Sequence, residues 1–230
     1  MKHSLHNSMT KGEYIFGACY LVAQQFVIPF LLVFFTALLK LRISNLWMNF
    51  IFFIINFVVV LAAFSRYLMQ NIRIFLNRFW RVCGFVFLGF VIYWAANILV
   101  SMFIMIYFPA FHNANDANIQ AMASQQYWVM FTGSVILVPI VEETLYRGVI
   151  FGLADRFSRP VAYIASTLLF ALIHVVGYIG TQPPVYLLVS LLQYAPAGLC
   201  LSWAYARSRT IFAPILIHTA VNLLGMLAMR

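Results

Sequence analysis

The run Val138-Pro139-Ile140-Val141-Glu142-Glu143-Thr144-Leu145-Tyr146-Arg147-Gly148 decides how the rest of the chain is read. Two glutamates and an arginine lie inside the stretch 127–153, which is otherwise apolar and exceeds the roughly 20 residues needed to cross a bilayer. An ionisable side chain at mid-membrane costs at least ~2.5–3.5 kcal/mol, and such residues face a cavity or a partner. Glu143 and Arg147 are four apart, so on a helix they share a face and can pair. Glu142 is turned about 100° from Glu143 and is left to find another partner. The asymmetry predicts a division of labour, with Glu143 and Arg147 supporting structure and Glu142 free for chemistry.

The 230 residues are 64% hydrophobic and 8% charged, where soluble domains carry roughly 25% charged residues. That composition excludes disorder and argues against a soluble globular domain. Seven apolar stretches qualify as spans: 14–39, 46–64, 84–108, 127–153, 160–179, 184–206 and 211–229. The expected fold is therefore an all-α polytopic membrane bundle forming one domain over 1–230. The polar constellation sits in 127–225, and 1–126 supplies N-terminal spans and an interfacial helix. That helix is read from Arg66, Gln70, Arg73, Asn77 and Arg81, which recur at steps of three and four across 66–83. The first apolar run ends without a small-residue cleavage site and reads as a retained helix. Cys19, Cys83 and Cys200 show no CxxC spacing and read as buried small hydrophobes.

The formal net charge is +9, yet there is almost no polar surface to serve a nucleic acid, so no nucleic-acid partner is expected. Basic loops on one side of a membrane explain the excess better. In a seven-span arrangement Lys2, Lys11, Arg66, Arg73, Arg78, Arg81, Arg156, Arg159, Arg207 and Arg209 fall on one side, against Lys40, Arg42 and Arg230 on the other. The bias favours a cytoplasmic N-terminus.

Two further spans offer partners for Glu142. Phe170-Ala171-Leu172-Ile173-His174 lies in the fifth, and His218-Thr219-Ala220-Val221-Asn222 in the seventh. At 1.5 Å per residue, Glu142, His174 and Asn222 come out ~20, ~22 and ~18 Å from the basic side, and His218 ~12 Å. Phe170 stacks one turn from His174 as an apolar wall. Each residue alone has a plainer reading, since a single intramembrane histidine or an amide can tie neighbouring helices together. Six such residues at matched depths are too costly for packing alone. His112, His3 and His6 receive no role.

Glu142-Glu143-x-x-x-Arg147, Phe170-x-x-x-His174 and His218-x-x-x-Asn222 resemble, in order, the three motifs of the CPBP family. That family comprises intramembrane proteases such as type II CAAX prenyl endopeptidases and bacterial Abi proteins. Tyr146-Arg147-Gly148 and Ala213-Pro214-Ile215-Leu216-Ile217-His218 fit as well, so the resemblance covers roughly 127–225. The family fold is described with eight helices, which makes eight the alternative to seven. The resemblance implies an endopeptidase in which Glu142 takes a proton from water that His174 helps to hold. His218 and Asn222 would donate to the developing oxyanion, and Glu143, Arg147 and Phe170 would support the site. Water must reach it, so a cavity is expected toward the cytoplasmic half. The substrate implied is a peptide or membrane-associated protein, and the shortness of the chain leans toward a multi-pass protein of a bacterial plasma membrane.

Three alternatives stay open. Glu142, His174 and His218 could ligate zinc with water in the fourth position. No HExxH signature is present, however, because Thr219 follows His218, and a mechanism without a cofactor is preferred. A non-catalytic immunity or scaffold protein could retain the fold. A transporter is less consistent, since no inverted repeat is evident and Ala195-Pro196-Ala197-Gly198 reads as a kink permitting close packing.

Overall fold

Among residues 9–230, which the computed structural model describes, the apolar runs become helices and no strand forms. Lys2, His3 and His6 lie outside the described residues. Five helices are long and apolar enough to span a membrane: α1 (Lys11–Leu38), α2 (Asn45–Ala63), α4 (Phe79–Tyr107), α6 (Tyr127–Ala154) and α8 (Pro184–Ser208). Between them lie α3 (Ser65–Asn77) and α5 (Ala114–Ala123), followed in the second half by α7 (Arg159–Ile173) and α9 (Phe212–Ala228).

The expected spans 160–179 and 211–229 are thus shorter than read. α7 has 15 residues and α9 has 17, about 22 and 25 Å of helix against a hydrocarbon core of about 30 Å. α7 is short because the chain unwinds after Ile173, and α9 because its start is recessed within the protein. α7 stops at Ile173, and the chain then runs through Gly177, Gly180 and Pro183-Pro184; Gly180 has φ +86°, a conformation that favours glycine. α9 begins beneath α3. The Asn71 side-chain oxygen accepts the Ile211 N–H at 2.8 Å, and the Thr210 hydroxyl donates to the Asn71 carbonyl at 3.1 Å. Thr210 and Ile211 are both fully buried. Irregular backbone at such depth is tolerated where protein covers it.

α3 is amphipathic, as its charge spacing predicts, but ends at Asn77. Arg78 leaves helical geometry (φ −130°, ψ 28°) and Arg81 belongs to α4, so 66–83 is not one helix. Its inner face buries Tyr67, Leu68 and Asn71, while Arg66 pairs with Glu13 of α1. A further difference is α5, in a stretch expected to be loop. Asn113 starts it, its side-chain oxygen accepting the N–H groups of Asn115 and Asp116 at 2.9 and 3.2 Å.

α6 and α8 form the interior. In α6 44% of the apolar window is buried, against 6% in α1, whose faces are largely exposed for lipid. Small residues bring the inner helices together: Ser166 of α7 donates to the Tyr146 carbonyl at 3.0 Å and Ser202 of α8 to Ser166 at 3.3 Å. Gly198, just after the internal Pro196, faces Thr167 so closely that an added Cβ would sit 2.9 Å from its Cα. Of the cysteines only Cys200 is buried, its thiol donating to the Gly89 carbonyl at 2.9 Å; Cys83 is half-buried and Cys19 is exposed on α1.

Candidate active site

The middle of α6 is wound unusually. Wider π-type turns run over Thr132–Leu137 and Thr144–Phe151, flanking the segment Val138–Glu143 that carries both glutamates. Such turns free backbone groups and recur where helices carry function. Glu143 and Arg147 are fully buried and paired at 3.0 Å. Arg147 also donates to the Gly198 carbonyl at 3.2 Å and lies 4.4 Å over the Phe170 ring. The cation is thus fixed from α6, α7 and α8 together.

His218 of α9 connects the two glutamates. Its Nδ1 lies 2.8 Å from Glu143 Oε1 and its Nε2 lies 4.0 Å from Glu142 Oε2. A carboxylate only accepts, so Nδ1–H donates to Glu143 and Nε2 is directed at Glu142. The ~12 Å depth estimated for His218 is therefore too shallow relative to Glu142. It took the start of α9 as the membrane surface, whereas Asn71 and α3 hold that start inside the protein. Glu142 Oε2 is buried and accepts no hydrogen bond from the described residues.

His174 is not within a helix but caps α7, at the point where the chain unwinds. Its Nδ1 lies 2.8 Å from the Phe170 carbonyl. A carbonyl only accepts, so Nδ1 carries the proton and Nε2 is left with its lone pair. The ring lies between Phe170 (centroids 4.9 Å) and Tyr194 (4.3 Å, stacked). Asn222 donates its amide to the Ser134 carbonyl in a π-type turn of α6 at 2.8 Å, which leaves its oxygen and second N–H.

Glu142, His174, His218 and Asn222 all line one cavity of about 520 Å³. Glu143, Arg147 and Phe170 are buried behind them. The cavity does not open toward the arginine-bearing end, as expected from the sequence. It extends instead to Asn49, Asn115, Asp116 and Met229, at the end carrying α5. The reason is the burial of the other end, where α3 covers the start of α9 and Tyr67 of α3 meets Tyr205 of α8 at 3.0 Å. Among the described residues no Lys or Arg lines this cavity, and no group of three or more His, Cys, Asp or Glu is arranged to hold a metal ion.

Several lining residues escaped the sequence reading: Gln25, Trp94, Asn97, Asp116, Gln193 and Tyr194. Gln24-Gln25 falls in a π-type turn of α1, Ala23–Val27, and Gln24 is buried, as is Asn56, which accepts from the Tyr20 hydroxyl at 2.7 Å. Amides in apolar runs are costly for the same reason as charges, and Gln24, Gln25, Asn56, Asn97 and Gln193 carry that signal in the sequence.

Comparison with known proteins gives the following. Residues 124–224 match the family model described as type II CAAX prenyl endopeptidase Rce1-like. UPF0177 protein YxdF of Lactococcus lactis is 33% identical over 90 residues, which cover 39% of this chain and 44% of that protein, so the match spans less than half of the relative. YdiL of Bacillus subtilis, whose name proposes a membrane peptidase, is 28% identical over 191 residues, 79% of this chain and 70% of its own. UPF0177 protein YbdI of Lactococcus lactis is 24% identical over 181 residues, 76% of this chain and 88% of its own. No solved structure matches the chain significantly.

Proposed function

We propose, for a chain whose residues 124–224 belong to the Rce1-like type II CAAX prenyl endopeptidase family, that it is an intramembrane endopeptidase using Glu142 as the base. The observation carrying this reading is the inequality of the glutamates. Glu143 accepts from Arg147 and His218 through Oε1, whereas Glu142 accepts no hydrogen bond from the described residues and lines the cavity. An unpaired carboxylate at that depth is costly unless something arrives to share it, and water is the simplest such partner.

In this mechanism Glu142 accepts a proton from a water whose other O–H is taken by Nε2 of His174, the nitrogen left bare by the bond from Nδ1 to Phe170. The hydroxide equivalent adds to the scissile carbonyl. His218 holds its Nδ1–H on Glu143, so it donates to the oxyanion through Nε2 when that nitrogen also carries a proton. Asn222 contributes its remaining N–H, oriented by its bond to Ser134. Glu142 then returns its proton to the leaving amine. Arg147 and Phe170 act through Glu143 and the imidazoles as positioning residues. The mechanism is written without a metal; zinc held by Glu142, His174 and His218, with water in the fourth position, is the alternative.

Comparative peptidomics of cells carrying the wild type or Glu142→Ala tests the reading. One or more uncut precursors should accumulate with the variant, while membrane insertion is unchanged. Identical peptide sets, or a cellular phenotype that survives Glu142→Gln, would assign the protein to a non-catalytic immunity or scaffold role. Cleavage by the purified protein should resist chelation; loss on chelation and rescue by zinc would replace the metal-free mechanism.

A further inference from the structure

A second cleft, of about 430 Å³, runs along the outside of α5 between the ends of α4 and α9. It shares Asp116, Gln193 and Met229 with the cavity of Glu142, so these three residues line both spaces and stand at the junction between them. Asp116 is held in place there. Its Oδ1 accepts from the Tyr194 hydroxyl at 3.1 Å, and the Tyr194 ring is the one stacked on His174. The passage and the catalytic wall are thus joined through a single aromatic side chain.

The charge at this passage is opposite to that of the chain. Fourteen Lys and Arg are present in the sequence, yet none lines either space among the described residues. Arg230, next to Met229, is turned onto the rings of Tyr127 and Trp128 at 6.0 and 5.7 Å. No Lys or Arg pairs with Asp116 among the described residues. The other titratable groups facing these spaces are His112 on the outer cleft and Glu142, His174, His218 and Tyr93 on the inner one, besides Tyr194. Low-dielectric walls concentrate the field of the carboxylates along the path.

We propose that this passage selects a substrate segment bearing a positive charge, a lysine or arginine side chain or a free amine, which sits against Asp116 while the bond to be cut lies at Glu142. The proposal rests on the peptidase reading and adds the substrate class to it. A segment rich in Asp or Glu, or one ending in a free carboxylate near the cut bond, is repelled by Asp116 and Glu142 together. Burial disfavours the ionised form of Asp116 when no cation is present, so an arriving ammonium group offsets that cost.

The test uses the purified full chain in detergent and three short N-acetylated, C-amidated apolar peptides, alike except for Lys, norleucine or Glu at the central position. Binding is read by fluorescence anisotropy, and cleavage of the same peptides by mass spectrometry. The Lys peptide should bind about tenfold or more tighter than the Glu peptide, the difference should collapse in Asp116→Asn, and the order should invert in Asp116→Lys. An unchanged order in Asp116→Lys, tighter binding of the Glu peptide to the wild type, or no saturable binding of the Lys peptide overturns the proposal. Charge-ordered binding without any cleavage counts against the peptidase reading and leaves the charge selection standing, so the two failures are separable.

Discussion

Arg147 and Glu142 make contrasting predictions although both are ionisable and deep in α6. Replacing Arg147 by Met leaves Glu143 buried with only His218 beside it, and removing one partner of a buried pair typically costs about 3–5 kcal/mol. Thermal unfolding in detergent should show that loss. Glu142→Gln removes only the 4.0 Å contact with His218 Nε2 and should change stability by less than about 1 kcal/mol, while peptide cleavage is abolished. Equal destabilisation by both variants would contradict the division of labour. Asp116 carries a pH prediction. Burial holds its carboxyl above the ordinary value of 3.8, with the Tyr194 hydroxyl and His174 opposing. The folded state then binds this proton more tightly than the unfolded chain, so the contribution is present below that ordinary value and is lost as pH rises through the raised one. Asp116→Asn should therefore gain stability relative to the wild type as pH is raised from about 4 toward 7, read as the difference in unfolding midpoints.

At the scale of elements, the close meeting of α7 and α8 at Gly198 fixes where Arg147 can rest. A methyl at Gly198 would lie 2.7 Å from Thr167 Cγ2 and 2.9 Å from its Cα, so Gly198→Ala should cost about 1–3 kcal/mol through overpacking and displace the carbonyl that accepts from Arg147. Asn71→Leu should cost about 0.5–2 kcal/mol by uncapping α9 and lower cleavage, because His218 is placed by that helix; intact cleavage would show that α9 is held by its packing alone. Much of this is legible in the chain. Five of the seven apolar runs read as spans form helices long enough to cross a membrane, and the i, i+4 spacing of Glu143 and Arg147 anticipates their pairing. What hydropathy cannot register is where a helix stops inside the protein. The continued apolar run Val175-Val176 hides the end of α7 at Ile173, and nothing local to Ile211 announces that Asn71, 140 residues earlier, will cap it. α5 is hidden for the opposite reason: its polarity resembles a loop, although the Asn113 cap is a local signal.

At the scale of the whole molecule, the cavity opens at the end carrying α5 while the arginines gather at the other. If the basic end is cytoplasmic, as the charge bias predicts, a membrane-impermeant maleimide should label Asn118→Cys from outside intact cells and spare Arg73→Cys, in a background with Cys19, Cys83 and Cys200 replaced. The reverse pattern would turn the protein over and give the site access from within. The docking of α9 beneath α3 has a consequence in time as well as in space. Glu143 precedes its histidine partner by 75 residues and Asn71 precedes Ile211 by 140, so the ribosome releases every other part of the site before α9. Until that helix slides under α3, Glu142 has neither His218 nor Asn222 opposite it. In the proposed mechanism a nascent chain in the membrane is therefore inert toward its neighbours, and completion of the bundle is the step that arms it.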